Sequence, residues 1–120
     1  MSIDVGGVQV PVSVIIPAAG SGTRMGGGTA KQFLPLRGVP VLVRTVTLFS
    51  NCPLVDEIVI AAADLETTRE LVGHLPKVAR IVPGGATRQE SVWAALQAVH
   101  SRPRIVAVHD AARPLLTPAV

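Results

Sequence analysis

A doubly wound α/β fold with a mostly parallel sheet is what this 120-residue chain predicts, on three observations. Short β-branched apolar runs alternate with segments of helical periodicity, the links between them are short, and a glycine-rich stretch follows the first run directly. Parallel strands need crossover connections, and crossover helices cover the sheet faces, so this alternation favours a parallel sheet with right-handed crossovers. A hydrophobic content of 48% and a mean hydropathy of +0.47 supply a core for one small domain and exclude a disordered chain.

Residues 1–11 read as a polar, glycine-containing lead, and residues 12–120 as the domain. Val12 to Ile16 is an apolar run between Pro11 and Pro17 that predicts a strand buried on both faces. From Val39, apolar residues fall at Val39, Leu42, Val43, Val46 and Phe49, which is helical spacing, with Pro40 in the first turn. Glu57 to Ala62 predicts the second strand, and Asp64 to His74 a short helix with Leu71 and Leu75 inward. Ala79 to Val82 predicts the third strand. Thr87 and Glu90 then have capping-box spacing ahead of a helix through Val92, Ala95, Leu96 and Val99. Ile105 to Val108 is the fourth strand. Thr117 and Pro118 have the chemistry of a helix start, which predicts a domain that is incomplete at Val120.

Composition narrows the function classes. No apolar run reaches the length of a membrane span and no secretory leader opens the chain, so a cytoplasmic protein is expected. Cys52 is the only cysteine, which excludes an internal disulfide and a cysteine-rich zinc site and leaves it a small buried hydrophobe. Nine of the eleven basic residues are Arg, a bias that suits phosphate, whose oxygens match the guanidinium fork. Single-stranded nucleic acid is disfavoured because Phe33, Phe49 and Trp93 are the only aromatic residues available for stacking.

Pro17-Ala18-Ala19-Gly20-Ser21-Gly22-Thr23-Arg24-Met25-Gly26 follows the first strand and so lies at the carboxyl edge of the sheet, where open α/β folds bind ligands. Small side chains at Ala18, Ala19, Gly20 and Gly22 let a ligand approach the backbone, whose amides form an anion nest. Arg24 and Lys31 add positive charge. The combination suits a polyphosphate, with a structural glycine-rich turn as the alternative on spacing alone. A P-loop is excluded because no Gly-Lys-Ser/Thr occurs, and a dinucleotide fingerprint because Gly20, Gly22 and Gly26 are misspaced and Asp64 lies too late.

Four ordered motifs make the pattern more specific: Pro17 to Met25, Lys31-Gln32-Phe33, Gly84-Gly85-x-x-Arg88-x-x-Ser91-Val92, and Val108-His109-Asp110-Ala111-Ala112-Arg113-Pro114. Together they resemble the 2-C-methyl-D-erythritol 4-phosphate cytidylyltransferase family, over what is the N-terminal part of a typical member. The resemblance implies a Rossmann-like nucleotide-binding topology, an N-terminal part of a nucleotidyltransferase domain, and CMP transfer from CTP to 2-C-methyl-D-erythritol 4-phosphate with Mg²⁺. It further implies a homodimer in the intact protein, with one subunit's arm completing the acceptor site of its neighbour. Nucleotidyltransferases that activate sugar 1-phosphates share the glycine-rich loop, its Arg and a following Lys, and stand as the alternative.

In that resemblance Arg24 and Lys31 match the charge-stabilising catalytic pair, and Pro17, Ala18, Ala19, Gly20, Ser21, Gly22 and Thr23 line the nucleotide. Gly85, Ala86 and Ser91 match the cytosine-reading positions. Ala86 departs from the acidic residue of some relatives, which leaves a backbone contact there rather than a side-chain one. Asp110 matches the metal ligand, while a second metal-binding Asp and a further Lys belong to the part beyond Val120. Arg88 either supports the loop, pairs with Glu90 or meets the ligand, and Arg113 either touches phosphate or forms an ion pair. His109 is expected to orient its turn rather than act as a base, because the attacking phosphate is already an anion. Trp93 is expected to pack.

Overall fold

A computed structural model describes residues 2–19, 24–25, 29–30, 35–36, 38–100 and 105–111. Strand β1 (Ser2–Val5) and strand β2 (Val8–Ala18) form an antiparallel hairpin. Its turn is Gly6-Gly7, both at positive φ (56° and 84°), the conformation a two-residue hairpin turn requires and glycine tolerates. Two small antiparallel pairs follow, β3 (Arg24–Met25) with β4 (Thr29–Ala30) and β5 (Pro35–Leu36) with β6 (Val39–Pro40). Helix α1 (Val41–Ser50), β7 (Glu57–Ala62), α2 (Leu65–Val72), β8 (Val78–Pro83), α3 (Arg88–Ala98) and β9 (Ile105–Val108) complete the described elements.

The predicted α/β order is observed, with four parallel strands in the spatial order β8, β7, β2, β9. Ser13 to Ile15 of β2 pair with β7 and also with β9, so these neighbours lie on opposite edges of β2. The chain thus builds outward from β2 through β7 and β8, then returns to the other side for β9. That reversal is the topological switch point of a doubly wound sheet.

Alternation along the strands sorts the core into two layers. Val14, Ile16, Ile58 and Ile60 face one way and pack with Leu42 and Val46 of α1 and Val72 of α2. Ile15, Val59 and Ala61 face the other way and pack against Ala95 of α3. Both faces of β2 and β7 are therefore covered, which explains why their sequences are continuous apolar runs instead of alternating ones. Each fully buried Ile here contributes roughly 1.5 to 3 kcal/mol.

Several local expectations shift. Pro40 is the N-cap of α1 and belongs to the β5–β6 pair, so the helix starts one residue after it. In α2 the fully buried residues are Thr68 and Val72, while Leu71 packs partly buried and Leu75 follows the helix end. The inward stripe of α3 is Ser91 and Ala95, and Leu96 is 40% exposed. Small residues at this four-residue spacing let α3 approach the sheet closely, and a residue next to Ala95 points about 100° away from that face. No helix among the described residues is long and apolar enough to cross a membrane.

Polar side chains lock the layers at defined points. The buried Thr45 hydroxyl on α1 donates to the Ala111 carbonyl (2.9 Å) in the turn after β9. Thr45→Val is therefore expected to lower unfolding free energy by about 1 to 3 kcal/mol, through a buried carbonyl left without a donor. Denaturant unfolding of the 120-residue chain checks this, and an unchanged midpoint would show that the bond contributes nothing. At α2, Asp64 caps the helix by accepting from the Thr67 amide (3.0 Å) and hydroxyl (2.8 Å), bonds that hold its carboxyl below the ordinary 3.8 despite a small opposing effect of burial. A lowered folded-state pKa stabilises above the unfolded value and is lost as pH falls through the folded one. The stability gap between the native chain and Asp64→Asn is expected to stay constant above about pH 5 and to change as pH drops below about 4, read from unfolding midpoints across that range.

Candidate functional site

The carboxyl ends of β2, β7 and β8 lie side by side. Ala18 is in register with Ala62, and the Gly84 amide donates to the Ala62 carbonyl (3.0 Å) just beyond β8. A side chain cannot be accommodated at Gly84, because a Cβ there would stand 2.3 Å from the Ala19 Cβ and 2.9 Å from the Ser91 Oγ. The start of the glycine-rich segment is therefore packed directly against the Gly84-Gly85 turn. Ala18 and Ala19 are buried and Pro17 is half-buried, so this edge is a firm floor made of backbone and methyl groups.

The Gly84–Thr87 segment is shaped by the first turn of α3. Ser91 Oγ, itself buried, accepts from the Gly85 amide (3.1 Å) and lies 3.5 Å from the Gly85 carbonyl. The Thr87 hydroxyl accepts from the Glu90 amide (3.1 Å), as the capping-box spacing predicts. The return contact differs: the Glu90 carboxylate accepts from the Ala86 amide (3.4 Å) and the Thr87 hydroxyl (3.3 Å). Glu90 thus supports the exposed residue before the cap.

Beside this turn a cleft of about 390 Å³ is lined by Pro83, Gly84, Gly85, Gln89, Glu90, Trp93 and Ala94. Trp93 does not pack in the core. It is 62% exposed and forms one wall of the cleft, because α3 turns its small face to the sheet and its large residues outward.

Across the switch point, β9 delivers His109 and Asp110. The His109 amide donates to the Ile15 carbonyl (3.0 Å), and its buried ring meets Phe49 edge-on with centroids 5.0 Å apart. His109 is thus fixed by backbone bonding and ring packing, in a turn that the bond from Thr45 to Ala111 also holds. Asp110 is half-buried, and its carboxylate receives the Arg88 Nε at 2.9 Å. Of the roles the sequence leaves open for Arg88, an ion pair is observed, and its partner is Asp110, 22 residues away, and not Glu90.

Ala18, Ala19, Gly84, Gly85, Ser91, Arg88 and Asp110 therefore gather at one sheet edge. The backbone of Arg24 pairs with Ala30 in the short β3–β4 ladder. Gly20, Ser21, Gly22, Thr23, Lys31 and Arg113 lie outside the described residues. Two features had no signal in the sequence: the Arg88–Asp110 pair and the Thr45 anchor, whose partners are 22 and 66 residues apart. Among the described residues, no group of three His, Cys, Asp or Glu side chains forms a protein-only cation cage. The single carboxylate of Asp110 at this edge fits Mg²⁺, which takes few carboxylates and completes its shell with phosphates and water.

A protein of Symbiobacterium thermophilum described as 2-C-methyl-D-erythritol 4-phosphate cytidylyltransferase is 86% identical over 117 residues, covering 98% of this chain and 50% of the relative. One of Solibacter usitatus with the same description is 50% identical over 120 residues, covering 88% and 48%. The crystal structure of the Francisella tularensis 2-C-methyl-D-erythritol 4-phosphate cytidylyltransferase superposes with a TM-score of 0.70 at 34% identity, over 89% of this chain and 46% of that one. A 4-diphosphocytidyl-2C-methyl-D-erythritol synthase from Anaerococcus prevotii superposes with a TM-score of 0.77 at 27% identity, over 92% and 47%. The chain spans about half the length of the curated relatives it matches. A family profile matches residues 12–120, from the first buried strand onward, and by that match the chain belongs to the 2-C-methyl-D-erythritol 4-phosphate cytidylyltransferase family.

Proposed function

We propose that this chain supplies the nucleotide-binding edge of a cytoplasmic cytidylyltransferase. The family-length protein would transfer CMP from CTP to 2-C-methyl-D-erythritol 4-phosphate, releasing pyrophosphate and forming 4-diphosphocytidyl-2-C-methyl-D-erythritol for non-mevalonate isoprenoid precursor synthesis. One observation supports this assignment most directly: the end of β2 and the turns after β8 and β9, each within one of the motifs, lie together at the switch point.

The chemistry is attack by an acceptor phosphate oxygen on the α-phosphorus of CTP, with pyrophosphate leaving in line. Such a transfer asks the protein for alignment and for charge neutralisation, with little covalent help. Amides of Ala18 to Thr23 would cradle the phosphates, with Arg24 and Lys31 opposing charge that grows on them. Gly85, Ala86 and Ser91 would meet the cytosine edge. The Ser91 hydroxyl braces Gly85, so base recognition there would use a loop whose shape Ser91 sets. Asp110 would hold Mg²⁺, which when bound supplies further neutralisation of the triphosphate. Arg113 would lie near the phosphates, and a homodimer would complete the acceptor pocket.

A second reading has a specific observation in its favour. Because the chain spans about half of its relatives, the 120-residue form alone would hold nucleotide without completing transfer. Calorimetric titration with CTP, UTP and GTP, alongside a pyrophosphate-release assay with and without acceptor, separates the two. CTP is expected to bind more tightly than UTP or GTP, and acceptor-dependent pyrophosphate release is expected only from the family-length protein. Equal affinity for all three nucleotides would remove the cytidylyl assignment.

In the family-length protein, Arg24→Ala is expected to depress turnover by about 10²-fold while leaving the unfolding midpoint nearly unchanged. Unaltered turnover would take Arg24 out of the mechanism.

A further inference from the structure

The contact between Arg88 and Asp110 joins the turn after β8 to the turn after β9, across 22 residues of sequence. Arg88 is the first residue of α3, directly after the Thr87 cap and three residues before Ser91. Its Nε lies 2.9 Å from the Asp110 Oδ1, with side chains 59% and 33% exposed. An ion pair this open contributes little to stability. Its effect is instead on local charge, because a carboxylate already matched by a guanidinium offers a divalent cation much less attraction.

Among the described residues, no cluster of three His, Cys, Asp or Glu side chains stands at this edge to replace that attraction. A triphosphate changes the balance. It brings anionic oxygens for the cation, and for the guanidinium a partner at least as well matched as a carboxylate. We infer that Arg88 is a positioning residue that keeps Asp110 charge-matched until a nucleoside triphosphate arrives, so that the divalent cation enters with the nucleotide and not ahead of it. The inference rests on the assignment of Asp110 as the cation-facing carboxylate.

Mn²⁺ is the probe, with free ion measured by electron paramagnetic resonance in the 120-residue chain. Without nucleotide and at low ionic strength, Arg88→Gln is expected to bind Mn²⁺ about tenfold more tightly than the native chain, and the gain should shrink in high salt. Arg88→Lys keeps the charge and should bind as weakly as the native chain. With saturating CTP the advantage of Arg88→Gln should disappear. Arg88 is exposed, so these substitutions leave the core packing in place.

Mn²⁺ affinity unchanged by Arg88→Gln, an equal gain in Arg88→Lys, or an advantage that persists undiminished with CTP would each overturn the proposal. So would a gain that survives Asp110→Asn in the same background, since the cation would then sit elsewhere. The nucleotide-free arms do not depend on which base is preferred or on acceptor turnover, so failure of the cytidylyl assignment is read separately in the nucleotide panel.

Discussion

Everything at the candidate site depends on β2 being paired on both edges at once. Its segment Ser13 to Ile15 holds β7 on one side and β9 on the other, and its side chains enter both core layers. A strand in that position has no freedom to slip, because a one-residue shift would exchange the two layers and misplace every apolar group. The end of β2 is consequently a rigid reference point, and the turns after β8 and β9 are positioned relative to it.

Backbone hydrogen bonds then transmit that rigidity to the site. The Gly84 amide reads the end of β7 through Ala62, and the His109 amide reads β2 through Ile15. Thr45 adds a tie from α1 across the sheet edge to Ala111. Contacts of this kind carry no sequence specificity for a ligand. They fix where the groups at this sheet edge stand relative to one another.

The polar groups at the edge are interlinked through the first turn of α3. Thr87 and Glu90 cap the helix and brace Ala86, Ser91 braces Gly85, and Arg88 reaches across to Asp110. Four residues of one helical turn thus connect the turn after β8 with the turn after β9. Movement at either end would be felt at the other, since the helix backbone between them is short and hydrogen-bonded.

What the amino-acid order determined alone was local and periodic. Glu57–Ala62 and Ile105–Val108 matched their predicted strands, the Thr87 cap lay where its spacing placed it, and the four motifs marked the family. Strand runs and caps are legible because their causes act within a few residues. The tertiary structure alone decided that Ser91 joins Ala95 on the inward face of α3 while Leu96 turns outward, through how closely the helix approaches the sheet. It also decided that Trp93 lines a cleft, that Thr45 anchors Ala111 and that Arg88 meets Asp110. The partners of Thr45 and Arg88 are distant in sequence, and their pairing follows from strand order and packing distance, which no local pattern encodes.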